Sequence, residues 1–126
     1  MRRDHYVPLS KQAIALLDEL RMITGNGIYL FPSLRSWQRP MSENTLNAAL
    51  RRMGYSGEEM TAHGFRASFS TLANESGLWN PDAIEAALAH VERNEVRKAY
   101  NRGVYWDERV ELADWWAGKL DVMRAG

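Results

Sequence analysis

The chain has 126 residues, with 45% apolar and 25% charged residues, enough for one compact domain with a real core. Sixteen basic residues balance sixteen acidic ones, so bulk charge gives no support for a nucleic-acid partner. The absence of cysteine excludes disulfides and thiolate metal sites, and no apolar run approaches the roughly 20 residues of a membrane span.

In chain order, Met1-Arg2-Arg3-Asp4 is basic but is followed by no apolar stretch, so no secretory signal is expected. His5 to Leu9 alternates in a way that fits a short strand. Ser10 then caps a helix to about Ile23, with Ile14, Leu16, Leu17, Leu20 and Ile23 apolar and Gly25 as its stop. Tyr29 to Pro32 is a short extended or loop segment, and Ser33 to Pro40 is a polar loop. Ser42 caps a second helix with Leu46, Ala49, Leu50 and Met53, ended by Gly54. Thr61 opens a third helix, which runs through Phe69 and Leu72 to Gly77. Asn80-Pro81-Asp82 places proline at the first position of a fourth, expected to reach about His90. A short helix from about Asn94 carries Tyr100, and Asp107 opens an amphipathic C-terminal helix within 104–126. In that last helix Trp106, Val110, Ala113, Ala117 and Leu120 form the expected apolar stripe, flanked by Leu112 and Trp116. The reading is a single, mostly α (α+β) domain over residues 1–126.

Charge is uneven along the chain. Arg35, Arg39, Arg51, Arg52 and Arg66 meet only Glu43, Glu58 and Glu59 in their stretch, and Arg93, Arg97, Lys98 and Arg102 surround Tyr100. The tail is acidic, with Asp107, Glu108, Glu111, Asp114 and Asp121. A basic middle and an acidic end are compatible with DNA at one face and protein at another; solvated helix faces give the same pattern.

Four residues carry possible chemistry: His63 and Arg66 in His-Gly-Phe-Arg, His90 in Ala-His-Val, and Tyr100 in Lys-Ala-Tyr-Asn. Arginine offers a rigid two-pronged donor to phosphate oxygens, histidine moves a proton near neutral pH, and tyrosine can serve as a covalent nucleophile. His63 and Arg66, three apart on a helix, share one face, with Phe65, Phe69 and Leu72 as expected core anchors. Taken singly, each has a plainer role: a helix N-terminal hydrogen bond for His63, an ion pair with Glu75 for Arg66, a C-terminal cap for His90 and packing for Tyr100. Tyr6, Tyr29, Tyr55 and Tyr105 compete as nucleophile, Tyr105 most directly, five residues away.

This ordered set resembles the tyrosine recombinases, specifically the C-terminal catalytic domain of bacteriophage-type integrases. Val7-Pro8-Leu9-Ser10 looks like the step before the family's catalytic helices, and Thr61 to Ala73 is similar to its HxxR box. Leu88-Ala89-His90-Val91 resembles its Leu-Gly-His segment, with Ala89 where glycine is commoner, and Val96 to Arg102 resembles its nucleophile segment. The resemblance implies the helical recombinase catalytic fold, truncated at its N-terminal side, with Tyr100, Arg66, His63 and His90 catalytic. It implies site-specific cleavage and rejoining of double-stranded DNA through a 3′-phosphotyrosine, without metal or other cofactor, in the bacterial cytoplasm. Arg39, Arg51, Arg52, Arg97, Lys98 and Arg102 are the candidate DNA contacts, and other integrase subunits, in a tetramer on DNA, the expected partners. The family's earlier arginine and hairpin lysine have no match here. A non-catalytic DNA-binding or recombinase-assembly module from a truncated prophage gene is the alternative.

Overall fold

Five α-helices occupy the described residues, 5–89 and 105–126, of the computed structural model: α1 Lys11–Thr24, α2 Glu43–Arg52, α3 Ala62–Ser76, α4 Pro81–Ala87 and α5 Trp106–Ala125. Their starts follow from residues able to serve the first, unpaired amides of a helix. Ser10 Oγ accepts the amide of Ala13 at 3.2 Å, Thr61 Oγ1 that of Gly64 at 3.1 Å, and Asn80 Oδ1 that of Asp82 at 2.9 Å. Ser42 holds the N-cap position of α2 without a side-chain bond to the backbone. Gly54 (φ 98°) and Gly77 (φ 69°) follow α2 and α3 in the left-handed region that glycine enters at no steric cost.

No strand forms among the described residues, so the strand expected over His5 to Leu9 is absent. A strand needs a partner edge. Here the Tyr6 carbonyl instead accepts from Arg109 Nη2 at 2.6 Å. Among the described residues the one β-type pairing is an isolated antiparallel bridge between Pro32 and Pro40. It closes the loop between them, with Ser33 N donating to Arg39 O at 2.8 Å and Met41 N to Phe31 O at 2.8 Å.

The chain divides into two compact units, one of Met1–Ala13 with Ser68–Gly126 and one of Ile14–Ala67. In the first, Ala73 of α3, Ile84 and Leu88 around α4 and Leu112 of α5 form the buried cluster, with Phe69, Trp79, Ala87 and Trp115 packed against it. Aromatic edges complete it: Phe69 meets Trp116 at 5.4 Å between centroids and 70°, and Trp79 meets Trp115 at 5.9 Å and 61°. Such T-shaped pairs place a positive ring edge against a negative face. Polar ties join segments far apart in sequence. Asn80 N donates to Glu108 Oε1 at 2.8 Å, and Gln12 Nε2 to Asp121 Oδ2 at 2.8 Å.

Arg109 is buried in this unit. Its guanidinium lies 5.4 Å from the Trp106 ring centroid as well as on the Tyr6 carbonyl, and desolvation pushes its pKa down from the ordinary value. These contacts offset part of the cost of burying a charge. The packing face of α5 is therefore Arg109, Leu112, Trp115 and Trp116. Of the stripe expected from periodicity, Trp106, Val110 and Leu120 are exposed. The four-residue spacing was read from apolarity alone, which cannot reveal that an arginine lies inward.

In the Ile14–Ala67 unit, Leu50 of α2 is buried, whereas Ile14, Leu16, Ile23, Leu46 and Met53 are exposed despite their apolar character. Helical periodicity located α1 and α2 but not the depth of their faces.

Because Leu112 is 1% exposed and Leu120 is 46% exposed, the two substitutions should separate cleanly. Leu112→Ala is expected to destabilise the protein by about 2–5 kcal/mol. Leu120→Ala should change stability by no more than about 0.5 kcal/mol. Urea denaturation followed by tryptophan fluorescence measures both. Equal losses would refute the assigned packing face.

Candidate active site

The site begins at the first turns of α3. His63 and Arg66 lie three residues apart on this helix, and both are exposed. The helix is not anchored where the sequence suggested. Phe65 is 56% exposed, Leu72 is half-buried, and the anchors are Ala73, fully buried, and Phe69, packed on Trp116. Burial thus holds the second half of α3. The half bearing His63 and Arg66 is held by polar contacts.

Those contacts come from α2 and from Thr61. Asn47 Oδ1 accepts the amide of Ala62 at 2.9 Å, directly before His63. Thr61 Oγ1 accepts from Gly64 at 3.1 Å. Arg51 Nη1 donates to the carbonyls of Tyr55 at 2.8 Å and Met60 at 2.9 Å, the two ends of the turn leading into the helix. Ser56 shapes that turn by accepting from Glu59 N at 3.3 Å and donating to Glu59 Oε1 at 3.1 Å.

Of the proposed DNA contacts, Arg39 and Arg52 are exposed, and neither side chain forms a hydrogen bond or ion pair with another described residue. Arg51 is exposed but engaged with the two carbonyls. Arg97, Lys98 and Arg102 lie outside the described residues, as do His90 and Tyr100. The approach to His90 is described. Leu88 is buried in the core cluster and caps α4, and Ala89 follows at φ 58°, in the left-handed region. That backbone stops α4 short of the extent expected from sequence, and it explains why glycine suits the position before the histidine. Among the rival tyrosines, Tyr105 sits at the start of α5, with its hydroxyl 3.5 Å from Asn80 Nδ2.

Sequence reasoning passed over Asn47 and Arg109. Asn47 had a signal: asparagine is unfavourable inside a helix unless its amide has a specific task. Arg109 had none, because an arginine on a charged helix reads as solvated.

A mostly helical fold with an exposed His-x-x-Arg at the start of α3 agrees with the resemblance carried by the sequence. The chain belongs to the phage integrase family, whose pattern matches residues 1–105. It is similar to the integrase of Enterobacteria phage P4, at 48% identity over 98% of this chain and 29% of that protein. It is also similar to the prophage integrase IntA of Escherichia coli (strain K12), at 45% identity over 100% of this chain and 30% of that protein. The integrase of Shigella phage Sf6 is 41% identical over 95% of this chain and 31% of its own length. The chain thus spans about 30% of the length of these curated relatives. No solved structure matches it significantly.

The left-handed backbone at Ala89 is testable. A non-glycine residue there costs about 1–2 kcal/mol, and glycine returns about 0.4–1 kcal/mol of that as unfolded-state entropy. Ala89→Gly should therefore raise stability by roughly 0.5–1 kcal/mol in urea denaturation. A loss of stability would contradict the assigned φ.

Proposed function

We propose that this chain forms part of the strand-cleaving domain of a tyrosine recombinase acting on double-stranded DNA. The observation that carries the reading is the pair His63 and Arg66, exposed together on the first turns of a helix in a chain of the phage integrase family. The Tyr100 phenol oxygen attacks the scissile phosphorus. A Tyr–O–P bond forms, the P–O5′ bond breaks, and the departing 5′ oxygen takes a proton from the family's hairpin lysine, which upstream sequence would supply; the products are a 3′-phosphotyrosine and a free 5′-hydroxyl. Arg66 stabilises charge on the non-bridging oxygens as the phosphorane develops. His63 takes or relays the phenolic proton, and His90 donates to the phosphate. Attack by a 5′-hydroxyl of another strand reverses the step and conserves the bond energy. The placement of Tyr105 at the α4–α5 packing supports Tyr100 as the nucleophile.

Arg39, Arg52, Arg97, Lys98 and Arg102 serve the DNA backbone, and other integrase subunits assemble with the chain on attachment-site DNA, as a tetramer. Integration or excision of a phage or genomic island in the bacterial cytoplasm is the corresponding process. No helix among the described residues is long and apolar enough to cross a membrane.

Two measurements test this reading. The 126-residue chain should bind duplex DNA weakly, with affinity that falls steeply with salt, and should give no recombination. Tight, salt-insensitive binding would refute it. Joined to upstream integrase sequence that supplies the family's first arginine and lysine, the chain should form a covalent adduct on a nicked suicide duplex. Tyr100→Phe should abolish the adduct while DNA affinity stays nearly intact, and EDTA should leave it unchanged. Loss of the adduct in Tyr105→Phe but not Tyr100→Phe would reassign the nucleophile. Salt-sensitive binding with no adduct in any form would favour a non-catalytic assembly module.

A further inference from the structure

We propose that Asn47 and Arg51 are positioning residues for the cleavage site, which from α2 set the backbone that presents His63 and Arg66; this rests on the proposed recombinase reading. The two side chains stand four residues apart, on one face of α2. Between them they hold the entry to α3 at three points. Arg51 takes the carbonyls of Tyr55 and Met60 at 2.8 and 2.9 Å, and Asn47 takes the amide of Ala62 at 2.9 Å. Thr61 closes the same turn from within, on Gly64. The backbone immediately before His63 is therefore fixed at a carbonyl and at an amide by a neighbouring helix.

Phe65 is 56% exposed, and the helix has its buried anchor only at Ala73. A helix gripped by its second half alone would leave its first turn free to fray. Fraying would move the imidazole and guanidinium relative to a phosphate, and misplacement by about 1 Å can cost about 10²-fold in rate. The tie from α2 prevents this.

The geometry also reassigns Arg51. A guanidinium that joins a DNA phosphate needs its donors turned outward. Here Nη1 bridges two carbonyls, and Nη2 lies 3.4 Å from where a Cβ on Gly57 would stand, so the turn wraps around the group. Charge-assisted bonds to two carbonyls are stronger than neutral ones. Lysine would keep the charge but lose the fork that spans both acceptors.

The test uses the 126-residue chain, with a short nicked DNA duplex as probe. Three quantities are followed: amide exchange at Ala62, the displacement of the His63 imidazole NMR signal on adding the duplex, and the salt dependence of binding. Asn47→Ala should speed exchange at Ala62 by about tenfold, the effect of one lost hydrogen bond. It should also diminish the His63 displacement, and Asn47→Asp, which keeps an acceptor oxygen, should restore both. Arg51→Lys should diminish the His63 displacement and leave the salt dependence unchanged, whereas Arg39→Ala should lower the salt slope by about 1. Urea denaturation verifies that each variant is folded; Asn47→Asp and Arg51→Lys decide the matter if the alanine variant is not. Unchanged Ala62 exchange and an unchanged His63 response in Asn47→Ala would overturn the proposal. So would a full His63 response in Arg51→Lys combined with a salt slope lowered by Arg51→Ala, the signature of a phosphate contact. If the wild-type chain shows no response to the duplex at all, the recombinase reading fails and the positioning role with it. Exchange at Ala62 then still reports whether the α2 tie itself exists.

Discussion

The first amides of an α-helix have no acceptor within the helix, and something outside it must accept them. In α3 that requirement falls beside His63 and Arg66. Ala62 and Gly64, on either side of His63, hand their amides to Asn47 on α2 and to Thr61 just before the helix. A general property of helices thus becomes a local constraint on an exposed imidazole and guanidinium. The turn from Tyr55 to Met60 obeys the same logic in reverse, its terminal carbonyls both taken by one guanidinium. The Ile14–Ala67 unit has few deeply buried side chains, so these directional bonds set its geometry more than hydrophobic burial does.

The other unit is organised by burial. Ile84 and Leu112, its largest fully enclosed side chains, meet within a shell of phenylalanine and tryptophan. Aromatic residues supply much apolar area from few positions, which suits a short helix such as α4 that can contribute little else. The family pattern ends at residue 105, yet α5, which begins at Trp106, supplies Leu112 and Trp115 to this core. The segment after the shared pattern is therefore part of how the domain is built. An acidic, exposed outer surface on α5, with Asp107, Glu111 and Asp114, remains compatible with a protein partner.

How much of this was legible beforehand depends on the kind of interaction. Helix starts were legible at Ser10, Thr61 and Asn80, because a capping oxygen acts within three residues of its own position. Helix stops at Gly54 and Gly77 were legible for the same local reason. The His-x-x-Arg spacing was equally direct, since helical geometry places both residues on one face. What escaped were choices made by distant neighbours. His5 to Leu9 has strand-like alternation, but no edge among the described residues pairs with it, and the carbonyl of Tyr6 meets a side chain 103 positions away. Phe65 looked like an anchor by spacing, yet it is 56% exposed, and Arg109 looked solvated while it lies inside. Periodicity reports which residues share a face; whether that face is covered is decided by the rest of the chain.

The bonds from Tyr6 to Arg109 and from Gln12 to Asp121 span sequence separations of 103 and 109 residues. Each must close a loop nearly as long as the chain. The entropy of such closure grows only slowly with length, but the rate of folding falls as contacting residues grow more distant in sequence. The Ile14–Ala67 unit joins only residues closer together in sequence than these. The unit containing both ties cannot be completed until α5 has emerged. Until α5 is available, α4 lacks the leucine and tryptophan that cover it, so this half of the protein closes only after the whole chain has been made.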